Sequence, residues 1–121
     1  MTNLKLPPLT YDSLSAILAW QPCSKIGYAT TIERDYRYKD VISIVHHGSV
    51  IADVAPNEVF LRKVGYHSQT TAHRLNRVCV DNGLETRVGF RKGWMCMLFQ
   101  NGSKTVEYPI KDDHTLFIGR D

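Results

Sequence analysis

Between Gly65 and Leu84 the apolar positions Ala72, Leu75, Val78 and Cys79 recur at three- and four-residue spacing, the signature of one stripe on an α-helix. Ser68 precedes the stripe as an N-cap, able to accept a free amide of Gln69, Thr70 or Thr71. Asn82-Gly83 closes it, because glycine takes the left-handed conformation freely and lets Leu84 fold back on Cys79. Thr70, His73, Arg74 and Arg77 fall off the stripe, which predicts a basic, hydroxyl-bearing face turned outward.

A second, shorter helical pattern opens at Thr10-Tyr11-Asp12-Ser13, with Tyr11, Leu14, Ile17 and Leu18 on one side and Pro22 as its stop. It is expected to lie on a sheet as a lid. From Tyr28 the period changes to alternation, predicting strands over 28–32, 41–45, 50–54 and 59–62, with turns at His47-Gly48 and Pro56-Asn57. After the central helix, 86–91 meets 94–100 across Lys92-Gly93, and Asn101-Gly102 leads into 104–110, a three-stranded meander. Residues 116–118 read as a short edge strand. The expected fold is therefore α+β: a curved antiparallel sheet or small open barrel of two meanders, with an N-terminal helix and one central helix. A length of 121 residues fits a single domain, 1–121, with 1–22 as its N-terminal helical segment.

Composition adds little beyond ordinary globular values, and no apolar run approaches bilayer-spanning length, so no membrane partner is expected. The three cysteines, Cys23, Cys79 and Cys96, fit no metal spacing and suggest buried thiols in a reducing compartment. Charge distribution is more informative than the net +3. From Arg62 to Lys92 seven cations face only Asp81 and Glu85, whereas the rest of the chain is slightly acidic. Such a zone suits a polyanionic partner, although it also suits a merely solvated helix and hairpin ends.

Candidate chemistry is sparse. His46 and His47 are adjacent, so on a strand they point to opposite faces and cannot share a metal; no metal site and no cofactor is expected. His67 and His73, with Arg74 or Lys92, make a conceivable acid/base pair on a phosphodiester, but nothing in their spacing requires it, and no catalytic residue is assigned. Thr70-Thr71 at the helix mouth fits capping and phosphate binding equally well. Tyr36 and Tyr38, interleaved with Arg37 and Lys39, have the alternation of a base-stacking loop or of a solvated turn. Trp94 lies beside the basic zone and reads as core.

Two readings of the middle compete. In one, 58–64 is a helix and 68–82 the recognition helix of a winged-helix repressor, with Lys92-Gly93 in the wing. In the other, Val59-Phe60-Leu61 is a strand, as its β-propensity favours. The run Gly65-Tyr66-His67-Ser68-Gln69-Thr70-Thr71-Ala72-His73-Arg74-Leu75-Asn76 resembles a segment of short uncharacterised proteins of tailed phages, especially marine cyanophages. The likeness extends over Ala29-Thr30-Thr31, Ile42 to His46, Ile51-Ala52 and Val88 to Trp94, roughly residues 26–110. Val64, Ser68 and Arg91 depart from that pattern. The resemblance implies a strand at 59–62 and a phage origin, hence the cytoplasm of an infected bacterium, and implies no activity. The function expected is non-catalytic nucleic-acid binding through a basic helix and hairpin ends, by Arg74, Arg77, Arg91, Lys92, Thr70 and His73. The alternatives are a protein-interaction or assembly module, homo-oligomeric or docking on a host protein, and the repressor.

Overall fold

In the computed structural model, residues 6–35, 40–62, 69–91, 94–101, 103–109 and 114–117 are described. The chain begins with α1 (Tyr11–Leu18), whose N-cap Thr10 accepts the Ser13 amide through its hydroxyl. Leu14 and Leu18 are fully buried, and the helix stops three residues before Pro22, at Ala19, whose φ of 51° lies in the left-handed region. As expected of a lid, α1 packs on the first three strands.

Those strands are β1 (Cys23–Gly27), β2 (Thr30–Arg34) and β3 (Ile42–His46), continued by β4 (Ser49–Val54) and β5 (Glu58–Leu61). Each pairs antiparallel with the next, and β9 (His114–Phe117) returns to pair with β5, giving a six-stranded sheet in the order β1-β2-β3-β4-β5-β9. The alternation does its work here. Ile32, Ile44 and Ala52 align across three strands, as do Ile42, Val54 and Val59, and all are buried. The second sheet is the meander β6 (Arg87–Arg91), β7 (Trp94–Asn101) and β8 (Lys104–Pro109). The two sheets remain separate and do not close into a barrel, so the architecture is α+β with open antiparallel sheets.

Helix α2 (Gln69–Asp81) packs against β4 of the first sheet and β6 of the second. Its stripe is buried as predicted, with Ala72, Leu75, Val78 and Cys79 in the common core. Its end has the paired backbone bonds of a Schellman stop, Leu84 N–H to Cys79 O at 2.9 Å and Gly83 N–H to Val80 O at 3.1 Å, with Gly83 at φ 72°. Asn76 Oδ1 accepts the Val88 amide at 3.2 Å, tying the helix to β6.

Two expectations change. Glu58–Leu61 is a strand hydrogen-bonded on both sides, which removes the winged-helix repressor; its β-branched and aromatic residues favour the extended form. β1 was not foreseen, and Tyr28-Ala29 forms the turn after it rather than the start of a strand. The last strand is a short edge strand, as expected, and belongs to the first sheet.

Candidate functional site

The predicted basic face of α2 is largely turned inward. Arg74 is only 1% exposed. Its Nε donates to Thr30 Oγ1 at 2.9 Å and its Nη2 to the Tyr28 carbonyl at 3.2 Å, so it pins the β1–β2 turn to the helix. The expectation of an outward Arg74 is thus corrected. The helix is covered on two flanks, by two sheets, and a long side chain beside the apolar stripe is buried with it.

Arg77 is half-buried and engaged within the protein: Nε pairs with Asp81 at 3.0 Å, one turn on, and Nη2 donates to the carbonyls of Leu6 and Pro7 at 3.1 and 3.2 Å. Arg62 pairs with Asp53 at 3.3 Å, and Arg87 donates to the carbonyls of Leu84 and Thr86. Four of the seven cations in the basic zone therefore serve the fold. His73 is exposed and Thr70 half-buried, so these two stay at the surface. Lys92, and with it Tyr66, His67, Ser68 and the Tyr36–Lys39 loop, lies outside the described residues, as do the side chains of Arg91 and Trp94.

What Arg74 reaches defines a different site. Thr30 and His46 sit opposite each other in the β2–β3 ladder, on the face that carries Ile32 and Ile44. Thr30 is fully buried and His46 is 2% exposed. Thr30 Oγ1 lies 3.1 Å from His46 Nδ1 and donates its proton to the Tyr28 carbonyl at 2.7 Å. Directly above this cluster the Tyr28 ring is 74% exposed and meets the exposed His47 ring edge-on, centroids 5.8 Å apart at 83°. The turn carrying Tyr28 and the turn carrying His47 are joined by the bond from His47 N–H to Ala29 O, at 2.9 Å. Sequence reasoning gave Arg74 its chemistry but missed Thr30, His46, Tyr28 and His47 as its company. The two adjacent histidines were the available signal, but they do not point to opposite faces as expected: His47 leaves the strand at φ 50°, and its exposed ring lies with its centroid 4.4 Å from that of the buried His46.

Burial holds the His46 imidazole below its ordinary value of 6.5, with His47 and Arg74 adding to the depression and a backbone hydrogen bond with Ala29 opposing it. The folded state thus binds this proton less readily than the unfolded chain. The stability contributed by neutral His46 is present above 6.5 and is lost as pH falls toward the lower folded value. A denaturation midpoint that declines across that window, with a shallower decline in His46→Gln, is the expected result; equal slopes would contradict it. Burial also lowers the Arg74 pKa, with Arg77 adding to the effect, yet a guanidinium remains charged at neutral pH.

Elsewhere the chemistry is weaker. The Cys79 thiol is pushed up to about 11 by burial, against a smaller opposing effect of Arg87, the reverse of what a nucleophile requires. Cys23, expected inside, is exposed because it starts an edge strand. An open cleft of about 480 Å³ on the other side of the first sheet mixes Glu33 and Asp35 with Arg34 and Arg62, so its charges offset one another. At its floor the Ser43 hydroxyl donates to Asp53 at 2.6 Å. No helix among the described residues is long and apolar enough to cross a membrane.

Neither the curated proteins nor the solved structures contain a match. The family model described as Kyanoviridae Gp96 protein matches residues 9–116, which takes in α1, both sheets and the Arg74 cluster. A match over most of the length shows that the chain belongs to the Kyanoviridae Gp96 protein family.

Proposed function

We propose that this phage protein is a non-catalytic accessory protein of the infected bacterial cytoplasm that binds nucleic acid through the ends of its first two hairpins. The observation that carries the reading is the exposed Tyr28–His47 pair standing over a buried guanidinium. Aromatic rings at a surface accept bases by stacking without regard to sequence, and a cation one layer below attracts phosphate through a medium that screens it less than water does. Lys25, exposed on β1, adds a solvent-side charge nearby in the chain. The expected nucleic-acid contact therefore moves from the outer face of α2 to the hairpin ends, with His73 and Thr70 as flanking surface groups.

Fluorescence anisotropy with a short single-stranded oligonucleotide tests this. Tyr28→Ala is expected to weaken binding about tenfold, and Tyr28→Ala with His47→Ala more, in line with about 1–3 kcal/mol per stacked base. Binding unchanged by the double substitution, or absent at low salt, defeats the reading.

An assembly module is the second reading, and it too has its own observation. Trp20 is 86% exposed just before β1, and β1 is an outer strand of the six-stranded sheet, with one row of backbone groups facing outward. That reading predicts a salt-insensitive oligomer by light scattering, dispersed by Trp20→Ser.

A further inference from the structure

The cluster below the Tyr28–His47 pair contains two open hydrogen-bonding positions of opposite kind. Thr30 has one hydroxyl proton and gives it to the Tyr28 carbonyl at 2.7 Å. Toward its other neighbours it therefore accepts, from Arg74 Nε at 2.9 Å and from His46 Nδ1 at 3.1 Å. This network assigns the proton of neutral His46 to Nδ1 and leaves Nε2 as a lone pair in need of a donor. Arg74 Nη1 is a donor in need of an acceptor. Both atoms are fully buried, and neither has a hydrogen-bond partner. Native proteins rarely leave one such atom unsatisfied, and here there are two, on side chains that share Thr30 as a partner through their other nitrogens.

Three requirements follow for the group that completes this cluster. It must accept from a guanidinium, donate to an imidazole, and carry negative charge, because no ion pair among the described residues involves Arg74. Water meets the first two and fails the third. A carboxylate or a sulfate meets the first and third but has no proton to give at neutral pH. A phosphate or phosphate monoester that retains one proton meets all three.

We propose that Arg74 Nη1 and His46 Nε2 form a niche for a protonated phosphate group, entered between the Tyr28 and His47 turns. The niche lies immediately under side chains that are themselves exposed. Its cover consists of two turns in which the non-glycine residues Ala29 and His47 hold φ of 48° and 50°, joined to each other by the His47–Ala29 backbone bond and the Tyr28–His47 ring contact. Displacing both contacts opens the path. The proposal rests on the nucleic-acid reading in one respect: a phosphate monoester held here belongs to a nucleotide or to a strand terminus, whose base then meets the two rings.

Nitrogen NMR of the full-length protein is the direct test, following the His46 ring nitrogens and the Arg74 Nε–H signal. Titration with inorganic phosphate is expected to move both, adenosine 5′-monophosphate to move them at lower concentration, and sulfate at equal ionic strength to act at least about tenfold more weakly. His46→Leu removes the acceptor, so it should abolish the preference for phosphate over sulfate while keeping a native amide spectrum. Equal responses to phosphate and sulfate overturn the proposal. So does the absence of any response together with a long-lived water signal at His46, which assigns the cluster to water. The two readings separate cleanly. An oligonucleotide bound equally with and without a terminal phosphate leaves nucleic-acid binding standing and sinks the niche. Phosphate bound without any oligonucleotide contact keeps the niche and sinks the other.

Discussion

Deleting residues 1–9 is expected to remove about 5 kcal/mol or more of stability, close to all that a domain of this size has, and to abolish a cooperative unfolding transition. The reason is a clasp between the N-terminal segment and the end of α2. Leu9 donates its amide to Asp81 Oδ2 at 2.8 Å and accepts Asn82 Nδ2 at 2.8 Å, while Arg77 holds the carbonyls of Leu6 and Pro7. Leu6 and Leu9 are buried in the core that α2 shares. Removing two buried leucines forfeits about 1.5–3 kcal/mol each, and leaving Asn82, at 8% exposure, without the Leu9 carbonyl adds about 1–3 kcal/mol more. Urea unfolding followed by tryptophan fluorescence reads the effect. A truncated chain whose midpoint stays within the equivalent of about 1 kcal/mol of the full chain would show the clasp to be ornamental.

This clasp explains why two basic residues of one helix, four positions or fewer apart, serve the fold from different ends. Arg77 points at a segment 70 and 71 residues away in sequence, and Arg74 at turns 44 and 46 residues away. A helical pattern fixes which positions share a side; it does not say how many sides are covered. For α2 the stripe of Ala72, Leu75, Val78 and Cys79 was legible, and so was its stop at Gly83, because spacing and glycine chemistry are local. The second layer contributed by β6 was not, since it depends on where a later meander docks. The same division holds among the strands. Ile42, Ile44, Val54 and Val59 announced themselves by alternation and β-branching. Cys-Ser-Lys-Ile-Gly in β1 has little apolar content because it is an outer strand covered poorly on both faces, and only its pairing with β2 reveals it. The partner of β9 was equally hidden, because closing β5 onto a strand more than fifty residues later is a matter of topology that no short-range period encodes.

Arg74→Ala and Arg74→Met should part company by about 2 kcal/mol, and their difference reads packing, because both remove the charge and the same hydrogen bonds. Alanine leaves a hole where a long side chain was, and strips Thr30 Oγ1 and the Tyr28 carbonyl of their guanidinium donors, for a combined loss of about 3 kcal/mol. Methionine forfeits the same hydrogen bonds and removes the same buried cation as alanine does, but it fills much of the vacated volume. Its net cost is expected at about 1 kcal/mol or less. Were the surroundings of Arg74 able to close over the vacated volume, both variants would be destabilised alike. The ligand-linked part of the comparison is sharper. In the native protein, phosphate at about a hundred times its dissociation constant should raise the unfolding free energy by about 2.7 kcal/mol, and in either variant by nothing. A phosphate-dependent gain that survives Arg74→Met would place the anion elsewhere on the chain, whereas its loss in a variant that is otherwise nearly as stable as the parent ties a buried guanidinium, without a carboxylate of its own among the described residues, to a ligand that supplies the missing charge.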